Sequence, residues 1–186
     1  MSVSRYMPAV ALVVIAGLSA CGSPTEPLLI PIPDEPSEAV LADVSTGALA
    51  DPSAFDVISA ESVRTDQFSG WDFVFQITEE GSALLWPRAA IVGEDEDAGL
   101  QQLSVTFDAL IEAPENGYTH LDSLPVAAGD VFAVRSRRDP AFGSVRCRRF
   151  AKVEVLEIDV QEGTMSFRHL VNPNCEKRKL VPGAEE

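Results

Sequence analysis

The chain has 186 residues, 29 of them Asp or Glu and 14 Lys or Arg; its net charge of −15 repels phosphate backbones, so nucleic acid is not an expected partner. The imbalance is regional, with 21 acids against two arginines over residues 21–130 and eight acids against 11 bases over residues 131–186. Two histidines and three cysteines, without CxxC or HxxxH spacing, make a poor transition-metal site, and GxSxG, HExxH, GxxxxGK[ST] and GxGxxG are all absent.

Arg5 leads an uncharged run from Ala9 to Leu18, the length of a signal-peptide core and too short to cross a bilayer. The run closes on Leu18, Ser19, Ala20 and Cys21, which resemble the lipobox of bacterial lipoproteins. That resemblance implies removal of residues 1–20 and lipidation of Cys21, which makes a membrane the first partner; ordinary secretion with cleavage near Ala20 is the alternative. Gly22, where an Asp would retain the protein on the inner membrane, implies delivery to an outer membrane. Five prolines in residues 22–38 favour extended backbone, so 21–38 reads as the lipidated cysteine and a stiff tether reaching up to ~50 Å. One domain is expected over 39–182, with 183–186 as a tail.

Short apolar runs at Ala39–Val44 and Phe55–Ile58, broken by Gly47, Asp51 and Pro52, suit brief strands. Trp71, Phe73, Phe75 and Ile77 alternate with Asp72, Val74, Gln76 and Thr78, the period of a strand. Gly81 turns the chain into Ser82–Trp86, and Pro87 separates it from a new strand expected over Arg88–Val92. Glu94 to Asp97 reads as a solvated acidic loop, because its spacing lacks the alternating ligands and distal Glu of a calcium-binding EF-hand. Phe107, Leu110 and Ile111 are spaced for one face of a short helix ended by Pro114, the only helix expected in the domain; Tyr118–Asp130 reads as a connecting loop.

Val131–Arg138 and Ser144–Asp159 are expected to pair as a hairpin around Asp139, Pro140 and Gly143. Ala151, Val153 and Val155 share one phase and Leu156, Ile158 and Val160 the other, which places a β-bulge at Val155–Leu156. Gln161–Gly163 then turn the chain into Thr164–Val171, with Met165, Phe167, His169 and Val171 on one face. A turn centred near Gln161 sets position 147 opposite position 175, so Cys147 and Cys175 are expected to form a disulfide in an oxidising compartment. The fold class is all-β, an antiparallel β-sandwich or flattened barrel.

Arg135, Arg137, Arg138, Arg146, Arg148, Arg149 and Lys152 gather half of the basic residues on two strands expected to pair. Like charges across a ladder repel, so either the domain's own acids or an anionic ligand must answer them. Arg135, Arg137, Arg146 and Arg148 are therefore candidate ligand-binding residues. His120 and His169 are the other candidates: two histidines can ligate a haem iron axially, while a lone histidine on a core phase is ordinarily a packed core residue. No catalytic set and no metal site are assigned.

Trp71, Asp72 and Phe75, then Val131–Val134, then Ala151 and Lys152, then Phe167 and Arg168, resemble in this order the WDxxF, vyvvr, yaK and FR strands of the HmuY-like haem-binding lipoproteins. The likeness covers Ser69–Asn172. It implies an all-β, lipid-anchored domain outside the inner membrane, whose best-known members take up haem through histidines; neither His120 nor His169 falls in a matching motif. The functional expectation is a monomeric, non-enzymatic module that binds a small ligand or a surface protein. An extracytoplasmic enzyme whose site assembles only in three dimensions is the alternative.

Overall fold

The computed structural model describes residues 29–93, 97–142 and 145–183, with side chains for all of these but 139–142, 145 and 146. The expected signal peptide, lipobox and Cys21 lie outside the described residues, as do Glu94–Glu96 and Gly143.

Two five-stranded antiparallel sheets form a β-sandwich. The first runs β1 (Ser37–Ala42), β12 (Thr164–Asn172), β11 (Phe150–Asp159), β8 (Val131–Arg135), β6 (Gly99–Leu103). The second runs β3 (Glu61–Val63), β2 (Ala54–Asp56), β4 (Phe73–Ile77), β5 (Ala83–Pro87), β7 (Leu124–Pro125). A two-stranded ribbon, β9 (Asp139–Phe142) and β10 (Val145–Cys147), stands apart from both.

The period-two pattern decides which faces meet. Leu41, Phe132, Val134, Val153, Met165 and Phe167 from the first sheet face Phe55, Phe73, Phe75 and Leu85 from the second, closing the main core. Phe167 meets Phe55 edge-on with centroids 5.2 Å apart, a favoured aromatic geometry. The outer face of the first sheet is covered as well. Val131, Ala133, Phe150 and Leu170 pack there under Phe107, Leu110, Ala113, Tyr118, Leu180 and Ile32.

The expected hairpins form, with one amendment. β8 pairs with β11 in the register Arg135↔Phe150 to Val131↔Glu154, and the connection folds into the β9–β10 ribbon instead of a simple turn. β11 pairs with β12 from Phe150↔Asn172 to Asp159↔Thr164, and the register shifts between Val155 and Glu157, where the phase change placed the bulge. Cys147 and Cys175 are disulfide-bonded with Cα atoms 5.2 Å apart, just past the open end of that ladder.

Three expectations are corrected. Arg88–Val92 is the short helix α1, not a strand: Pro87 supplies the extended residue before it, and Gly93, at φ 68°, closes it by donating to the Ala89 carbonyl. Phe107–Ile111 is a single hydrogen-bonded turn. Thr106 accepts from Ala109 and Leu110, while the carbonyls of Phe107 and Leu110 are taken by the buried Lys152 ammonium at 3.0 and 3.2 Å, so no helix propagates. Finally, the domain begins before Ala39. Ile32 is 1% exposed and exchanges backbone hydrogen bonds with Gly183, and β1 starts at Ser37, so part of the expected tether and of the expected tail belongs to the folded body.

Candidate functional site

At one end of the sandwich the two sheets part around a cavity of about 260 Å³. Its walls come from the chain at Ile30–Pro33, the first residue of β1 (Ser37), the β2–β3 turn (Ile58–Ala60), the end of β12 (His169–Val171) and Arg149. His169 lies at the base. It sits on the inward phase of β12 with Phe167 and Val171, directly across the ladder from Ser37, and its ring packs 4.7 Å from that of Phe55. The residue is 4% exposed, and among the described residues nothing hydrogen-bonds either ring nitrogen. Burial alone pulls its pKa down, to about 4, so the imidazole is neutral and offers the cavity one donor and one acceptor.

A buried charge network shapes the lip. Asp56, at the end of β2, accepts from Ile58 N–H (2.9 Å), Ser59 N–H (3.3 Å) and Ser59 Oγ (2.8 Å), folding the four residues after it into a tight turn. That turn places Ala60 at φ 58°, the left-handed region a non-glycine residue occupies only when its surroundings hold it there. Arg137 reaches over from the residues after β8: its Nη1 donates to Asp56 at 2.7 Å and to Asp72 at 3.2 Å. Asp72 also accepts from the backbone N–H groups of Arg137 (2.7 Å) and Val57 (2.8 Å). Complete burial pushes the Asp72 carboxyl up, to about 7, against the opposing pull of Arg137 and these amides. Arg149 completes the lip by donating from Nη1 to the Ile58 carbonyl, while its backbone exchanges hydrogen bonds with Ser136.

The other candidates gather at a different place. Arg135 lies over the Tyr118 ring (5.0 Å), donates from Nε to the Asp97 carbonyl (2.8 Å), and places Nη2 3.1 Å from His120 Nε2. His120 Nδ1 lies 2.7 Å from the Ala98 carbonyl. A carbonyl only accepts and a guanidinium only donates, so His120 is the neutral tautomer with its proton on Nδ1 and both nitrogens engaged. Arg148 and Arg138 both bind the Asp97 carboxylate. Asp97, expected in a solvated loop, is instead the hub of the basic cluster. The acidic half of the chain thus answers Arg137, Arg138 and Arg148, one of the two alternatives that the cluster required. Arg135 and Arg148, with Glu115, Glu176 and Arg178, line a polar hollow of about 360 Å³ in which acids and bases alternate. Arg146 falls in β10, and its side chain lies outside those described.

The two histidines do not meet. His120 rests against Gly99 on β6, where a Cβ would lie 2.5 Å from its ring, while His169 is on β12. Strands β11 and β8 intervene, and both His120 ring nitrogens are engaged by the Ala98 carbonyl and Arg135, so the two imidazoles are not arranged to share one iron. Among the described residues no group of three His, Cys, Asp or Glu side chains is placed to hold a metal ion.

Residue order placed Arg149 in the basic cluster and did not single out Ser37 or the 58–60 turn; all three join His169 only through the folding of the sheets. The residues that resemble the HmuY-like strands are chiefly buried structural ones: Trp71, Asp72, Phe75, Ala151, Lys152 and Phe167 all lie inside the fold. Comparison of the chain with protein-family models, curated proteins and solved structures finds no match.

Proposed function

We propose that this chain is a lipid-anchored protein of the bacterial envelope, held at the outer membrane through Cys21, whose sandwich binds a small ligand without transforming it. The observation that carries the binding half is the neutral His169 imidazole, buried without a protein partner at the base of a largely apolar cavity. Buried polar groups are nearly always hydrogen-bonded, and one that faces a cavity instead is positioned for a guest. The side chains around it favour binding over catalysis. Ser59 Oγ is committed to Asp56 and His120 to Ala98 and Arg135, so neither supplies a nucleophile–base pair with His169. The anchoring half rests on Leu18–Cys21 and the uncharged run before it. The HmuY-like resemblance supports the same setting; its haem chemistry is not part of this reading, because the histidines lie apart.

Anchoring is tested by producing the full chain in a two-membrane bacterium fed alkyne-palmitate. The wild type is expected to carry label and sediment with membranes, and Cys21→Ser to do neither; an unlabelled wild type in the soluble fraction would reject the anchor. Binding is tested on those membranes with a short alkyl diazirine, expected to cross-link peptides containing Ile58–Ala60 or Leu170–Pro173, and to lose that site in Ser37→Trp, which fills the cavity from an exposed strand end. No adduct at the walls would reject the binding reading.

A further inference from the structure

We propose that the polar hollow over the outer face of the first sheet is a second binding site and takes a free α-amino acid, with the carboxylate on Arg135 and the ammonium at Glu176 and Glu115. It is independent of the His169 cavity. Arg135 and Phe150 are cross-strand neighbours on the outer face, whereas His169 packs on Phe55 in the interior between the sheets.

The cation is the first observation. The other two arginines that line the hollow each hold a carboxylate: Arg148 binds Asp97, and Arg178 binds Glu112 at 2.7 Å. Arg135 does not. Its Nε donates to the Asp97 carbonyl, its Nη2 meets neutral His120 and its face covers the Tyr118 ring, so among the described residues every group it bonds or stacks on is uncharged and Nη1 has no acceptor. Burial, and after it the like charge of Arg148, pulls its pKa down. A guanidinium in that position stays charged and is stabilised when a carboxylate accepts from it, and its planar fork is already fixed by the bonds at Nε and Nη2.

The carboxylates are the second. Glu176 follows Cys175 at φ 57°, in the left-handed region. Two bonds hold it there: its N–H donates to the Arg148 carbonyl at 2.9 Å, and the Arg148 N–H donates to its Oε1 at 3.2 Å. Its carboxylate is thereby pinned to the wall of the hollow, with Oε2 left open among the described residues. Non-glycine residues held in this conformation by their surroundings are a recurrent feature of ligand clamps. Glu115, from the loop before Tyr118, adds a second carboxylate that pairs with no cation among the described residues. Charges of both signs therefore line one hollow without combining into ion pairs.

That combination selects a zwitterion. A phosphate or a dicarboxylate gains the arginine and is opposed by two glutamates, while a simple amine gains the glutamates and is opposed by three arginines. About 360 Å³ lies near the lower end of the roughly 300–1,000 Å³ range of small-molecule sites, enough for one amino acid. Among the described residues that line it Phe150 alone is apolar, which favours a guest with a polar side chain.

The test titrates the full chain, purified in detergent, with L-glutamine, N-acetyl-L-glutamine and L-glutaminamide, which present both charges, the carboxylate alone and the ammonium alone. Calorimetry is expected to give L-glutamine a dissociation constant at least tenfold below that of either blocked form, the margin one charge-assisted bond carries. Arg135→Met keeps an aliphatic stem over Tyr118 and is expected to erase the preference over the amide. Glu115→Gln combined with Glu176→Gln changes two exposed side chains, keeps the Oε1 acceptor for Arg148 and is expected to erase the preference over the N-acetyl form. Equal affinity for the three compounds, or a preference over the N-acetyl form that survives the double substitution, would overturn the proposal. So would displacement of L-glutamine by an equal concentration of inorganic phosphate, the mark of a plain anion seat, or no binding of L-glutamine at all.

Discussion

At the scale of single residues, the two buried groups at the sandwich end, His169 and Asp72, respond to pH in opposite directions. Unfolded, His169 takes up its proton near 6.5; folded, it does so only near 4. Between those values the unfolded chain binds more protons. Stability from this residue is therefore full above about pH 6.5 and lost as pH falls toward 4, by about 3 kcal/mol in total. Asp72, raised to about 7 by burial, holds a proton that the unfolded chain releases near 3.8, so its contribution weakens as pH rises across the same range. Wild-type stability is expected to vary little between pH 4 and 6.5 because the two trends oppose, while His169→Phe leaves the Asp72 trend alone and loses stability as pH rises. Urea unfolding at a series of pH values measures this; parallel curves for the two proteins would reject a buried neutral His169. Arg137→Leu is expected to cost about 3–5 kcal/mol near neutral pH, since it leaves Asp56 and Asp72 buried without their shared cation. The deficit should shrink as pH falls through about 7, where the Asp72 carboxyl takes up its proton and no longer needs the cation. A deficit that is small and independent of pH would show that the network carries little energy.

At the scale of elements, the clearest test is the covalent one. Cys147 and Cys175 close a loop of sequence separation 28, and the backbone continues past them with the Glu176 N–H donating to the Arg148 carbonyl at 2.9 Å. Reduction is expected to lower stability by about 2–5 kcal/mol, read as a fall in melting temperature with a reductant and reproduced by Cys147→Ser without one. An unchanged melting temperature under full reduction would show that the ladder holds that end unaided. The pair was legible in the sequence because β11 and β12 are long, regular and joined by a short turn, so one turn position fixes the register. The bulge was legible for the same reason, as a change of phase. What escaped was short or set by distant partners. β3 and β6 have three and five residues, and the two glutamines of β6 leave it no apolar alternation to read. Phe107 and Leu110 do share one buried face, as their spacing required, but Lys152, more than 40 residues away, takes the Phe107 carbonyl that Ile111 would bond in a helix, and Pro114 has no N–H to offer Leu110. The same distance effect explains why His169 was placed on the core phase while the cavity around it was not foreseen.

At the scale of the whole molecule, the folded body starts inside the stretch that reads as a tether, and this gives the cavity its wall at Ile30–Pro33. Five prolines and a lipobox make residues 22–38 look like a spacer, and for part of that length the packing says otherwise. Ile32 is fully enclosed with Phe107, Leu110 and Leu180, and pairs with Gly183 across the outer face of the first sheet. Ile30, two residues earlier, is 55% exposed, yet its N–H donates to Asn174 Oδ1 at 2.7 Å and its carbonyl accepts from Asn174 Nδ2 at 2.7 Å. Asn174 itself is tied to Asn172, so the wall formed by Ile30–Pro33 is anchored to the end of β12, the strand that carries His169. Because these contacts make 30–33 part of the domain, Ile32→Ala is expected to cost about 2–5 kcal/mol in the unfolding free energy of the full chain, the penalty of a cavity in a packed interior. Ile30→Ala, which trims an exposed side chain and keeps both backbone bonds to Asn174, should stay within about 0.5 kcal/mol of wild type. Equal and negligible effects from the two would return this stretch to the tether, and with it remove the outer wall of the cavity. The two substitutions are close in sequence and similar in chemistry, so a difference between them reports burial and nothing else.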